Sequence, residues 1–177
     1  MALKLLAADP KYAELFYEWR QDPEMTKYNP LANSTVEALR DRLSKAGSDL
    51  SKIEKHESYF WLIEVDDQIL GHVSLNNVNQ MMLTSEVGYG VTSAARGKGI
   101  ATSAVRLITE RVFAETGFRK LIAYVHEENL SSRKVLEKIG FRQEGILREH
   151  YLVNGAPANE IVYGILRREF RAPEGPG

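Results

Sequence analysis

The 177-residue chain has no cysteine, only six prolines, and no apolar run approaching the roughly 20 residues that a membrane-spanning helix requires. The missing cysteine removes disulfide scaffolds, thiolate zinc sites and cysteine nucleophiles together, and agrees with a reducing compartment. Met1 to Pro10 lacks the basic start and long apolar stretch of a secretory leader, so the expected address is cytoplasmic and no membrane partner is expected. Charge of one sign is also missing: 23 Lys and Arg against 24 Asp and Glu leave a net charge of -1. Broad nucleic-acid binding needs many phosphates neutralised, so direct binding of nucleic acid is not expected. The four histidines, His56, His72, His126 and His150, have no ligand spacing such as H-E-x-x-H, which predicts no metal. No Gly-x-Ser-x-Gly elbow occurs, so no enzyme nucleophile is evident.

What is present suffices for one core. Apolar residues make up 44% of the chain, and no linker or internal repeat divides it, so residues 1–170 are expected to form one domain and 171–177, rich in proline and glycine, a flexible tail. Leu3 to Leu6 reads as a strand, and Tyr12, Leu15, Phe16 and Trp19 recur at helical spacing until Asp22-Pro23. These aromatics read as core. Ser34-Thr-Val-Glu37 has the capping-box form and predicts a second helix with Val36, Leu39 and Leu43 inward. Residues 44–58 are polar and weakly patterned, and are expected to be helix end and loop that bury little.

From Tyr59 the period changes to that of strands. Tyr59 to Val65, Ile69 to Leu75 and Met82 to Val91 predict a meander, with turns at Asp66-Asp67 and at Asn76 to Asn79. Ile100, Ala104, Leu107, Ile108 and Val112 mark one face of a long helix over about Lys98 to Glu115, with Gly117 placed to end it. Lys120 to Val125 then predicts a strand, Ser131 to Ile139 a helix closed by Gly140, and Phe141 to Val153 a strand. Asn154-Gly155 is a two-residue hairpin signal returning the chain through Glu160 to Leu166. The order predicts an α/β fold around one mixed sheet.

The most informative segment is Glu86-Val-Gly-Tyr-Gly-Val91 followed by Thr-Ser-Ala-Ala-Arg96-Gly-Lys-Gly-Ile-Ala101, a strand entering a glycine loop that opens onto the long helix. A helix N-terminus offers unpaired amides and the positive end of a dipole, so Arg96, Gly97, Lys98 and Gly99 can wrap a pyrophosphate with backbone donors. A basic surface loop with a helix cap is the plainer reading of the same four residues. A Walker loop is excluded because Lys98 precedes Gly99 instead of Ser or Thr, and a Rossmann fingerprint begun at Gly97 fails at Thr102. Gly88 and Gly90 share a strand face with Glu86, where two missing side chains leave room for a group to approach the backbone, or mark a bulge.

Arg96-Gly-Lys-Gly99-Ile-Ala101 resembles the Q/R-x-x-G-x-G/A signature of the GNAT superfamily, and Asn129-Leu-Ser-Ser132 and Glu137-Lys-Ile-Gly140-Phe141 resemble its downstream motifs over about residues 60–166. Within it, Glu86 to Tyr89, Asn129 to Ser132, Val135 to Lys138 and Gly145 to Arg148 look like the branch of ribosomal-protein N-terminal alanine or serine acetyltransferases. The resemblance implies a single domain with a twisted, mostly antiparallel sheet of about seven strands, about four flanking helices, and strands splayed at an acetyl-CoA site. It implies that the amides of Arg96, Gly97, Lys98, Gly99, Ile100 and Ala101, with Thr102, hold the coenzyme pyrophosphate. Val91 would pair with the pantetheine arm, with Tyr89, Asn129 and Ser132 nearby and the helices before residue 46 bordering the acceptor cleft.

Direct transfer of acetyl to an amine needs a proton acceptor, a proton donor and a polarised carbonyl, each proton group contributing roughly 10²–10⁴-fold. Where many members of the superfamily carry a donor tyrosine, seven residues after Asn129, this chain has Leu136. Ser132 matches the serine to which the ribosomal branch assigns protonation of the thiolate; a helix-cap hydroxyl is its other reading, and Tyr89 is in reserve. The branch's carboxylate falls on Tyr151. Glu149 is expected on the same strand face as Tyr151 and His150 on the other. Glu86 can order a water or the amine, and Glu160 is expected beside them on the returning strand. The acceptor stays open between a protein N-terminus and a small amine such as a polyamine, amino sugar or antibiotic. Glu14, Glu18, Asp22 and Glu24 provide acidity for a polyamine, or are a solvated face. A non-catalytic acetyl-CoA sensor is the reading of a different class, and the chain is expected to be a monomer or homodimer.

Overall fold

The computed structural model describes residues 2–28 and 35–171. Leu3–Ala7 (β1), Tyr59–Val65 (β2), Gln68–Asn79 (β3), Thr84–Val91 (β4), Lys120–His126 (β5), Arg142–Val153 (β6) and Ala156–Leu166 (β7) make one seven-stranded sheet in the order β1-β2-β3-β4-β5-β7-β6. Every neighbouring pair is antiparallel except β4 and β5. Ala13–Gln21 (α1), Val36–Lys45 (α3), Ile100–Glu115 (α4) and Leu130–Ile139 (α5) are the helices of nine residues or more among the described residues; Pro23–Thr26 (α2) is a single turn.

Helices cover both faces of the sheet centre, which is why β2 is nearly continuous in apolar residues. Its alternate side chains divide between the two sides: Phe60 and Leu62 pack with Phe16, Leu39 and Leu43 of α1 and α3, while Tyr59 and Trp61 join Val105, Ile108 and Val112 of α4 and Leu136 and Ile139 of α5. Leu107 is only half-buried at the edge of the α4 stripe. Full burial of each large aliphatic side chain is worth about 1.5–3 kcal/mol, so the α4 face is a main fastening of the fold.

Several local expectations require correction. Thr35 caps α3, its Oγ1 accepting from Ala38 N at 3.1 Å; Ser34 lies outside the described residues, as do residues 172–177 of the expected tail. Residues 44–58 bury more than their polarity implied, because Leu50 and Ile53 enter the main core. The segment is also pinned by β2: Trp61 Nε1 donates to Ser48 O at 3.0 Å and Tyr59 OH donates to Lys52 O. β3 runs through the expected Asn76–Asn79 turn, absorbing it as an irregularity with Asn77 at φ 48°. Thr116 ends α4 instead of Gly117: its Oγ1 donates to Val112 O at 2.7 Å and accepts from Phe118 N at 3.1 Å. Gly140, at φ 108°, closes α5 as expected, and Asn154 and Gly155, at φ 51° and 81°, make the last hairpin.

Candidate active site

The sheet opens at its one parallel seam. β4 and β5 pair only at Thr84–Lys120, Ser85–Leu121 and Glu86–Ile122. Beyond Glu86, β4 pairs with β3 alone up to Val91, and β5 pairs with β7 alone as far as His126. Tyr89, Gly90 and Val91 therefore border a cleft with a backbone edge that no strand among the described residues pairs.

The glycine loop stands at the end of that cleft. Thr92 N donates to Leu70 O at 2.9 Å, and a tight turn over Ser93–Ala95 leads to Gly97 at φ 72° and Gly99 at φ 76°. Left-handed backbone at both positions favours glycine. No heavy atom of the described residues beyond the immediate chain neighbours lies within 4 Å of where a Cβ would stand on either residue. The first helical bond of α4 is Ser103 N to Gly99 O at 2.9 Å, leaving the amides of Ile100, Ala101 and Thr102 as the donors of a helix start, without partners among the described residues. With the helix dipole behind them, these amides form an anion cradle that fits a pyrophosphate. Thr92 Oγ1, buried and without a partner among the described residues, adds an unsatisfied polar atom at the loop's entrance. Lys98 is exposed, whereas Arg96 is turned toward α2, its guanidinium donating to Glu24 Oε2 at 3.1 Å and Glu24 O at 2.8 Å. The loop therefore offers backbone to an anion while its arginine ties down α2.

Across the cleft, Asn129 caps α5, its Oδ1 accepting from Ser132 N at 3.1 Å and Ser131 Oγ at 2.8 Å. This places Ser132 Oγ 2.7 Å from Tyr89 OH, which also donates to Ser132 O at 3.1 Å. When the tyrosine proton serves that carbonyl, the serine hydroxyl donates to the tyrosine oxygen. Burial, partly offset by the bond to Ser132, holds the Tyr89 phenol above its ordinary pKa and so protonated. The two donor candidates form one unit joining β4 to α5.

A second group gathers around Glu160 on β7, which is opposite His126 on β5 and Leu147 on β6. Glu160 Oε2 lies 3.6 Å from His150 Nε2, and its side chain is 19% exposed. Burial raises the Glu160 pKa; His150 opposes the rise, Glu86 reinforces it and His126 opposes it. His126 Nδ1 accepts from Glu128 N at 3.1 Å, so the neutral ring carries its proton on Nε2. Tyr28 packs on His126 with centroids 4.9 Å apart, and Tyr151 meets that ring edge-on at 5.9 Å while its OH approaches Tyr28 O at 3.4 Å. Burial, with Glu160 and Glu127 adding to it, pushes the Tyr151 phenol up to about 12. Glu86 accepts from Asn77 Nδ2 at 2.8 Å.

The expected alternation along β6 fails here. Leu147 is opposite Glu160 but Tyr151 is opposite Ala158, so Arg148, Glu149 and His150 together face Asn159. Glu149 takes φ 49° and is exposed, its amide donating to Asn159 Oδ1 at 2.8 Å. The bulge is what brings His150 to Glu160, against the expectation that it points away. The space expected at Gly88 and Gly90 is occupied from β3: a Cβ would meet Ser74 Oγ at 2.9 Å and His72 Cε1 at 2.9 Å respectively. Asn159, Tyr28 and the roles of His126 and His150 carried no local signal, because they arise from register and from a bulge.

Residues 2–142 match the acetyltransferase (GNAT) domain family. The chain is 38% identical to the probable N-acetyltransferase YjcK of Bacillus subtilis over 75% of its own length and 73% of that protein's. It is 33% identical to the putative ribosomal N-acetyltransferase YdaF of the same organism, over 70% of this chain and 64% of that one. Spermidine N-acetyltransferase from Vibrio cholerae, solved with CoA and spermine, shares the fold with a TM-score of 0.83 at 20% identity, covering 94% of this chain and 96% of that one. The chain belongs to the GNAT acetyltransferase family, as an acyltransferase that takes acetyl from acetyl-CoA to an amine.

Proposed function

We propose that the enzyme acetylates the α-amine of a protein N-terminus, with Glu160 accepting the amine proton and the Ser132–Tyr89 pair delivering one to the departing sulfur. The observation that carries this reading is the half-buried Glu160 carboxylate, made more basic than usual by burial and Glu86, on β7 opposite His126 at the end of β5, the strand that borders the cleft. When bound, acetyl-CoA supplies the acetyl group as a thioester. The amides of Ile100, Ala101 and Thr102, with Gly97 and Gly99, hold its pyrophosphate, and the backbone edge of Tyr89 to Val91 receives the pantetheine arm. Asn129 orients Ser132 through the α5 cap. Ser132 Oγ gives its proton to the sulfur and takes one from Tyr89 OH at 2.7 Å, and Tyr89 regains its proton from solvent as the products leave. Glu160 takes the proton from nitrogen and passes it to the exposed His150, whose Nε2 lies 3.6 Å from its Oε2.

The likeness to the putative ribosomal N-acetyltransferase supports a protein N-terminus as the first acceptor to test. A polyamine is the second reading, favoured by Glu86, Glu127 and Glu160 around one cleft. Against it, two of the acids expected to serve a polyamine are already in ion pairs, Glu14 with Arg40 at 3.5 Å and Glu24 with Arg96 at 3.1 Å. The test is coenzyme A release from acetyl-CoA against N-terminal peptides, polyamines, amino sugars and aminoglycosides. Release confined to peptides with a free α-amine supports the proposal; release confined to polyamines replaces it; binding of acetyl-CoA without release on any amine leaves a sensor.

A further inference from the structure

We infer that Asn159 is a positioning residue that holds the β6 bulge against the loop after β5 and so fixes His150 beside the Glu160 carboxylate. The inference rests on the proposed role of Glu160. Three bonds converge on this one residue: its Oδ1 accepts the Glu149 amide at 2.8 Å, its Nδ2 donates to Glu127 Oε2 at 3.0 Å, and its carbonyl accepts the Glu127 amide at 3.3 Å. Glu149 is in left-handed backbone at φ 49°, a conformation that a glutamate does not hold without outside support. Its amide has lost a ladder partner to the bulge, and the asparagine side chain is the acceptor that replaces it. Glu127 immediately follows His126, and Glu160 immediately follows Asn159. The clamp therefore ties together the three strand ends, β5, β6 and β7, that present His126, His150 and Glu160.

The geometry has a directional consequence. Glu160 is faced by His150 and Tyr151 from β6, His126 from β5 and Glu86 from β4. A protonated histidine beside it favours the carboxylate, whereas Glu86 favours the acid. If the bulge relaxes, His150 leaves and Glu86 stays, so Glu160 holds its proton to higher pH.

The experiment compares Asn159→Ala, Asn159→Asp and the double variant Asn159→Asp/Glu127→Gln in the full chain, using the amine identified by the thiol-release assay. Asn159→Asp keeps an acceptor for the Glu149 amide and loses only the bond to Glu127, which provides a folded variant if the alanine form is unstable. The double variant reverses the polarity of that bond at unchanged net charge. Asn159→Ala is expected to lower kcat about tenfold, a part of what a full proton-transfer group provides, with KM for acetyl-CoA within about twofold. The acid limb of kcat is expected to move up by about half a pH unit. The double variant is expected to recover both kcat and the limb relative to Asn159→Asp. Unchanged kcat and limb in Asn159→Ala and Asn159→Asp, or a loss that the double variant does not recover, overturns the clamp. Glu160→Gln with unchanged kcat overturns instead the role of Glu160 on which the clamp rests.

Discussion

A carboxylate set among two histidines and a second carboxylate gives up some stability for basicity. Burial, named first among the causes, and Glu86 raise the folded-state pKa of Glu160 above its unfolded value. As pH rises past the unfolded value of ~4.3, the unfolded chain releases this proton before the folded one does, so stability falls through that window and stays lower above it. Glu160→Gln is therefore expected to lower kcat by roughly 10²–10³-fold while raising the melting temperature at pH 7.5. A variant that loses activity and melts lower contradicts the assignment, because a purely structural carboxylate fails in that way.

The hydroxyl pair offers a different signature. Ser132 Oγ and Tyr89 OH are 2.7 Å apart and share one proton path. Ser132→Ala and Tyr89→Phe are each expected to reduce kcat by roughly 10- to 100-fold, and the double variant to lose little beyond the worse single one, since members of one unit are strongly non-additive. Fully additive losses would separate them into independent roles.

His72 shows what a partly buried imidazole with one unpartnered nitrogen does to acid stability. Its ring stacks on Phe60 with centroids 5.1 Å apart and lies 5.4 Å from Phe16, and its Nδ1 is buried with no partner among the described residues. Burial first, then Arg42 and Arg20, lowers its pKa to about 3. A depressed histidine contributes stability that is present above the unfolded value of ~6.5 and is lost as pH falls toward the folded value. Between pH 7 and 5 this amounts to about 2 kcal/mol, so His72→Phe is expected to flatten the acid loss of stability measured by urea unfolding across that range. An equal loss in both proteins would remove His72 from the cause.

At the scale of elements, the loop before α4 depends on two left-handed glycines. Gly99→Ala meets no neighbour but must hold φ 76° at the helix cap, so the expected cost is strain of about 1 kcal/mol, together with a weaker grip on acetyl-CoA as the cradle amides tilt. Isothermal titration is expected to give at least about a tenfold higher Kd; an unchanged Kd would dissociate the cradle from the coenzyme. This loop, the α4 and α5 faces, the Gly140 stop and the Asn-Gly hairpin were legible in the sequence, because each is encoded within a few residues by period, cap or turn chemistry. Legibility ended where distance along the chain began. Counting by two along β6 put Glu149 and Tyr151 on one face, since nothing local marks a bulge at Arg148 to His150. The burial of Leu50 and Ile53 was hidden by the lysines and glutamates between and after them. The pairing of Tyr89 with Ser132 joins residues 43 apart in sequence.

Across the whole molecule, the cleft between β4 and β5 is also the weakest seam of the sheet. Three register pairs join β4 to β5, while seven join β5 to β7. Beyond the seam, the two halves are held by α4 and α5 underneath, by the Tyr89–Ser132 bridge, and by Arg119, whose Nε donates to Met82 O at 2.8 Å and whose amide donates to Leu83 O at 2.9 Å. A ligand that occupies the parted strands touches both halves, so binding and sheet integrity are linked. At a concentration 100 times Kd, acetyl-CoA adds about 2.7 kcal/mol by mass action, which for a chain of this size is a rise of roughly 5–10 °C in melting temperature. Beyond that shift, hydrogen exchange is expected to slow in the amides of Tyr89 to Val91 and of Tyr124 to His126, on opposite sides of the opening. Protection confined to the α4 loop would mean that the pyrophosphate is held while the arm lies elsewhere, and the cleft between β4 and β5 would then lose its role as the channel for the acetyl group.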